Sequence, residues 1–389
     1  MKSGPSPTAS SDADFRPNRA GEWKFPTPAS RLRIAILSDA LKDRNGVDAY
    51  YRDLTNHLRP RVAEIALLSP NPEDGDFAGA LSFPLPGDAT QQIVFPHLLR
   101  LHRKLQLLRP NVVVSATNGP FGLAGIEAAR RFHAAFLAGF HTHMEGLCEM
   151  YWSPLIGGMT RRVMESQNRL LFHFARAVVV NSPGMERPAA NLSDTPVVVV
   201  GTPVDHDFLH APLEPLEKEL RRVLFAGRLA MEKNVLDVIH SARFLPEIQF
   251  TIAGEGPLRE TVRAAEEELP NLAYAGHVPR PNMPALIDEH DLLVLPSALE
   301  AFGTIALEAM ARGRLALVSR HCGILDWPGL AGGLYAFDEN ESLSAAIRRI
   351  AAVEPSLRER KARRGREAAL ALNQETIEQW LELMTHERP

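Results

Sequence analysis

The chain of 389 residues contains only two cysteines, Cys148 and Cys322, far apart and without a C-x-x-C spacing. That scarcity argues against a disulfide framework and a structural zinc site, and it suits a reducing compartment, so a cytoplasmic location is expected. A surplus of positive charge is missing too. The formal net charge is -4, which gives no electrostatic case for a nucleic-acid partner. No run of about 18 apolar residues occurs, so no membrane-spanning helix is expected. Residues 1–30 are rich in Pro and Ser, carry Asp12, Asp14 and Glu22, and lack the apolar core of a secretory signal. They predict a disordered leader over 1–30. The remaining composition, 45% hydrophobic and 23% charged, is ordinary for a globular protein of two or three domains.

Strand-like runs alternate with helical ones. Arg33–Ser38 opens the series, and Asn45-Gly46 leads into a predicted helix over Val47–Leu58. Further strands are expected at Glu64–Ser69, Val112–Ser115, Ala135–Phe140, Val178–Asn181 and Val197–Val200. A second series follows at Arg222–Ala226, Ile248–Ala253, Leu272–Ala275, Leu292–Leu295 and Leu315–Ser319. The pattern predicts an α/β protein with parallel sheets, built as two Rossmann-like doubly wound domains facing a cleft. Pro203, Pro212 and Pro215 mark a semi-stiff linker between them. The expected division is 31–203, a linker at 204–217, 218–372, and a closing helix within 373–389. Ligands in open α/β sheets bind at the carboxyl ends of strands.

The chemistry-bearing residues sit at such ends. Glu300 and Glu308 flank Gly303 and Thr304, and Glu308 falls inside an apolar helical run. A helix hydrophobic all round is normally buried, and a lone carboxylate there costs several kcal/mol unless something hydrogen-bonds it. A ligand bearing hydroxyl groups is the expected partner. Glu300 lies before the helix, and Gly303 and Thr304 offer the free N–H groups of its start to a phosphate. Together these residues suggest a sugar-nucleotide site. The competing reading is one helix-capping carboxylate and one exposed glutamate. Gly227-Arg228 with Glu232-Lys233-Asn234 follows the first strand of the second series. Its two cations suit a diphosphate clamp or an ordinary solvated loop. Gly254 and Gly256 follow the next strand in Ala253-Gly254-Glu255-Gly256-Pro257, as a close backbone approach or a plain turn. Val278, after Gly276-His277, is placed to face a nucleobase. In the first half, His141, His143 and Glu145 follow an apolar strand. Their spacing is not a zinc signature, and His141 reads as a hydrogen-bonding partner of a substrate hydroxyl or as a structural histidine. Asp205-His206-Asp207 reads as a turn with local hydrogen bonding rather than a metal site.

With these residues in hand, the chain from about Arg33 onward resembles the family 4 retaining glycosyltransferases of the GT-B fold. Glu300 through Glu308 resembles the family's two-glutamate motif. The Gly227–Asn234 segment resembles its diphosphate motif, and Gly254–Pro257 its glycine turn. The resemblance implies that Arg228 and Lys233 hold the diphosphate of a UDP- or GDP-sugar, and that Glu308 accepts the ribose hydroxyls. Glu300 would accept hydroxyls of the transferred sugar, with Gly303 and Thr304 donating to sugar or phosphate. His141 would lie on the acceptor side near the reacting centre, with Asn118 nearby. Gly46 would belong to the N-terminal glycine loop, and about Gln374–Met384 would form the family's closing helix. Asn118–Gly122 and Gly139–Thr142 resemble members that glycosylate lipid acceptors. Gly313-Arg314-Leu315 and Cys322-Gly323 depart from the family pattern, and both are expected near the donor sugar.

The chemistry follows from charge. Breaking the anomeric bond leaves negative charge on the diphosphate, which Arg228, Lys233 and the helix start would stabilise. No cofactor and no metal is expected. A sugar-nucleotide epimerase of the same fold and a non-catalytic sugar-nucleotide-binding protein remain as other readings. His97–Arg109 reads as a basic amphipathic helix, either lying on anionic lipid or packing one face on the core.

Overall fold

The computed structural model describes residues 27–41, 46–70, 81–85, 88–142 and 154–385. Most of the expected leader, Asn45, His143, Glu145 and Cys148 lie outside them. The leader's end is corrected: Thr27 N–H donates to Thr385 O at 3.2 Å, and Ala29 packs on buried core.

The short Val-, Ile- and Leu-rich runs become strands. The first half gives β1 (Arg33–Leu37), β2 (Glu64–Leu68), a hairpin of β3 (Ser82–Leu85) and β4 (Asp88–Val94), β5 (Val112–Ser115), β6 (Ala135–Phe140), β7 (Ala177–Val180) and β8 (Val197–Val199). The second half gives β9 (Arg222–Ala226), β10 (Gln249–Ala253), β11 (Leu272–Gly276), β12 (Leu292–Leu295), β13 (Leu315–Ser319) and β14 (Tyr335–Phe337). The two main sheets have six strands each, ordered β2-β1-β5-β6-β7-β8 and β11-β10-β9-β12-β13-β14. All their pairings are parallel. Strands such as β5, β7 and β12 are buried at every position. That burial explains why they read as continuous apolar runs rather than alternating ones.

Each sheet reverses its winding at one place, between β1 and β5 and between β9 and β12. A crevice opens at the carboxyl ends of such strands. From β9 emerges the Gly227 loop, and from β12 the segment that carries Glu300. The topology therefore sets the cationic motif beside the acidic one.

The chain crosses between the halves twice. Glycine at 201 is required at the first crossing, because a Cβ there would stand 2.3 Å from Thr376 Oγ1. Asn373 Oδ1 then accepts from Val204 N–H at 2.8 Å. Arginines of the second domain hold the linker by its carbonyls. Arg312, 1% exposed, donates to Ala211 O at 2.8 Å and to Pro212 O, and Arg314 donates to Pro215 O at 3.0 Å. Asp205 caps the short helix His206–His210 by accepting from Asp207 N–H. The expectation that Gly313-Arg314-Leu315 lies near the donor sugar is thereby corrected. Those residues follow the far end of the Thr304–Ala311 helix, where Arg314 grips the linker.

The second crossing is one helix, Pro355–Thr385. The segment expected at about Gln374–Met384 is only its last part. Ala369 and Leu372 pack in the second domain's core, whereas Ile377, Trp380, Leu381 and Met384 complete the first domain's core around Leu32 and Ile34.

Candidate functional site

A cleft of about 500 Å³ lies between the halves. Gly46, His141, Gly227, Arg228, Lys233, Gly254, Val278, Glu300, Gly303, Thr304 and Glu308 all line it. Gly256 and Asn118 do not. Gly256 packs on backbone instead: a Cβ there would stand 2.4 Å from Leu229 O. Asn118 Nδ2 donates to Met164 O at 3.5 Å. Gly254 has φ +139, and a Cβ on it would meet Gly227 O at 1.8 Å, so the two glycine loops touch backbone to backbone.

Two helices begin at this cleft from opposite domains, Gly46–Leu58 and Thr304–Ala311. A Cβ on Gly46 would stand 3.6 Å from Thr304 Oγ1. The positive ends of both helices therefore converge where an anion is favoured. Gly303, at φ +106, turns the chain into the second helix.

Each predicted cation is held by a carboxylate. Arg228 pairs with Glu232, and Lys233 Nζ donates to Glu300 Oε2 at 2.5 Å. Burial works against the Lys233 ammonium, and the Glu300 carboxylate more than reverses this, raising the lysine above its ordinary value. The loop carrying Glu300 is fixed from behind. Gly323 N–H donates to Glu300 O at 3.0 Å, and a Cβ on Gly323 would stand 2.1 Å from Ala301 O. The Cys322-Gly323 departure thus shapes the support of Glu300. The Cys322 thiol is buried and pushed up to about 12, which leaves it unreactive.

Glu308 is buried, as its apolar neighbours imply, but it is not waiting alone for a ligand. Arg280 Nη1 donates to Glu308 Oε1 at 2.8 Å, and Arg280 Nη2 pairs with Asp53 of the opposite domain. The sequence reading missed both partners. Burial pushes the Glu308 and Asp53 carboxyls up, and Arg280 offsets part of the rise in each.

On the first domain's face, His141 Nε2 and Tyr51 Oη lie 2.8 Å apart, and the Tyr50 ring stands 4.8 Å from the imidazole. Gly139 makes room, since a Cβ there would stand 2.2 Å from Tyr51 Oη. Burial drives the His141 pKa down to about 3, so the ring is neutral near pH 7. Its Nδ1 has no hydrogen-bond partner among the described residues. Tyr50 Oη donates to Gly201 O and accepts from Trp380 Nε1, tying this face to both crossings. Among the described residues, no group of three His, Cys, Asp or Glu side chains is arranged to hold a metal ion.

Residues 44–208 match the family model described as Glycosyltransferase Family 4, and residues 210–368 match that for Glycosyl transferases group 1. The chain is 27% identical over 304 residues to a GDP-mannose-dependent alpha-mannosyltransferase of Mycolicibacterium smegmatis, covering 72% of this chain and 78% of that protein. It is 23% identical over 308 residues to an uncharacterised glycosyltransferase of Bacillus subtilis, covering 76% and 80%. The crystal structure of Anabaena HepE in complex with UDP and glucose superposes with a TM-score of 0.63 at 14% identity, covering 90% of this chain and 99% of that one.

Proposed function

Because the chain belongs to the family 4 glycosyltransferases and has the GT-B fold, we propose that its cleft binds a UDP- or GDP-hexose and transfers the hexosyl group, with retention, to a hydroxyl acceptor. The observation that carries this reading is the Lys233–Glu300 pair, set beside Arg228 and two helix starts around one cleft. The cations are neutralised before any ligand arrives, so they stay ordered in a buried place at small electrostatic cost. An arriving diphosphate takes over Arg228 and Lys233 and frees Glu300 to accept hydroxyls of the sugar. Glu308 accepts the ribose hydroxyls, and Val278 flanks the base.

As the anomeric bond breaks, its electron pair goes to the diphosphate oxygen. Arg228, Lys233 and the helix start at Thr304 stabilise the developing charge, and they are already in place to do so. The departing phosphate oxygen takes the acceptor hydroxyl's proton, and the sugar oxygen bond forms on the same face. Neutral His141 offers Nδ1 to a sugar hydroxyl. These cations do the work that a divalent ion does elsewhere, so chelation is expected to leave the rate unchanged.

Exposed apolar side chains favour a lipid acceptor. Phe83, Phe95, Leu98 and Leu99 are exposed near one another in the chain, and the Phe83 and Phe95 rings meet edge to face at 6.3 Å. The helix Leu98–Leu108 buries Leu101, Leu105 and Leu108, and its outer side carries Leu99, Leu107, Arg100 and Arg103. A face of this composition suits the surface of an anionic bilayer. Among the described residues no helix is long and apolar enough to cross a membrane.

Thermal melts with UDP-, GDP- and ADP-sugars test the donor, because a ligand of the native state raises its apparent stability. Donor hydrolysis without acceptor separates an active enzyme from an inert binder, and donor interconversion would reveal an epimerase. A donor that neither shifts the melt nor is consumed would overturn the proposal.

A further inference from the structure

Arg280 belongs to the second domain, just after β11, yet it spends one Nη on each domain. Nη1 holds Glu308 Oε1 at 2.8 Å, and Nη2 holds Asp53 on the Gly46–Leu58 helix. The Asp53 and Glu308 side chains are 0% and 3% exposed. Phe208 of the linker stacks against the guanidinium, 5.1 Å from its carbon to the ring centroid. Arg280 therefore touches both domains and the strand of chain between them. Asp205, held by Asn56 Nδ2 at 3.1 Å, adds a third carboxylate to the neighbourhood. One arginine thus balances two buried acids, and the Asp53 Oδ1 atom has no hydrogen-bond partner among the described residues. Stability alone is a poor reason to keep such a group, since apolar residues of similar volume serve as well or better. A ligand contact explains it better.

We propose that Arg280 and Asp53 are positioning residues for the donor: Arg280 fixes Glu308 by one oxygen and leaves the other to the ribose, and Asp53 ties that arrangement to the opposite domain. The inference rests on reading the cleft as a donor site. The Asp53 tie then couples the ribose contact to the pairing of the two domains. By linkage, each favours the other to the same degree.

The test measures donor KM, kcat and their pH dependence in R280Q and D53N, using the UDP- or GDP-sugar that stabilises wild type. Small-angle scattering is recorded without donor. In R280Q, Glu308 keeps its burial and its Asp205 neighbour but loses its cation. Donor KM is expected to rise by about 5- to 150-fold, the span of a single coupling, with kcat changed less. The acid limb of donor affinity is expected at higher pH than in wild type. In D53N the Arg280–Glu308 pair survives, so donor KM rises without an upward shift of that limb, and the unliganded protein becomes less compact. Should R280Q fail to fold, R280K takes its place. It keeps the charge but not the two-pronged grip, so KM rises and the acid limb holds. Wild-type KM and pH profile in the Arg280 variant would overturn the inference, as would kcat and melting temperature falling together at unchanged KM. A D53N protein as compact as wild type overturns the tie between domains by itself. Wild type that binds no nucleotide sugar instead overturns the reading of the cleft, and the scattering result still stands on its own.

Discussion

The second domain's face of the cleft carries the pairs Arg228–Glu232, Lys233–Glu300 and Arg280–Glu308, whereas the first domain's face presents a neutral histidine held by a tyrosine. Both faces are largely buried, yet they solve different problems. On the proposed reading, a diphosphate brings charge and gains more as it leaves, so its face needs fixed cations with carboxylates to hold them meanwhile. On the same reading an acceptor hydroxyl is uncharged, so its face needs only a well-placed polar atom that stays uncharged itself. Burial serves both purposes. It strengthens the ion pairs on one side and keeps His141 unprotonated on the other.

The comparison is broken most directly at Lys233. Replacing it with alanine removes charge stabilisation and leaves Glu300 without its cation. Turnover is expected to fall by about 10²- to 10³-fold, read as initial rates at saturating donor. A wild-type rate would remove the distinction between the faces.

His141 sharpens the comparison through pH. An unfolded histidine takes a proton below its ordinary value of 6.5, whereas folded His141 resists until about 3. Its folded pKa is the lower one, so the unfolded state binds more protons in that window and stability falls as pH falls through it. H141Q is expected to lose that share of the acid destabilisation, while His57 and His290, also depressed by burial, retain theirs. Melts between pH 3 and 6.5 read the difference, and parallel curves for variant and wild type would contradict it.

The smallest effect belongs to Tyr51. Y51F deletes one neutral hydrogen bond to His141, at about 1 kcal/mol, or roughly fivefold in kcat with donor KM unchanged. A loss matching that of K233A would mean that the acceptor face carries charge after all.

Much of this was legible in the sequence because it depends on local pattern. Fully buried parallel strands read as apolar runs, and the loops after β9, β10 and β12 carry their glycines, cations and carboxylates within short spans. What escaped was set by distance along the chain. Arg280 precedes Glu308 by 28 residues, and Asp53 precedes Arg280 by 227, so no periodicity links them. Glu308 was therefore expected to depend on a ligand alone. Tyr51 lies 90 residues before His141, so nothing in the expected Val47–Leu58 helix singled it out. The β3–β4 hairpin was missed because Pro84, Pro86 and Gly87 break the run. Gly256 was assigned to the ligand although its missing Cβ makes room for Leu229 backbone.

The helix Pro355–Thr385 has a consequence for how the molecule is made. Trp380, which fills the heart of the first domain, is contributed by the far end of a helix that begins on the second. During synthesis the second domain's sheet is complete before the first domain has received its last wedge. The earliest-made lobe is thus the last to mature, and a released chain truncated after Leu372 should bear a folded second lobe beside an unfinished partner.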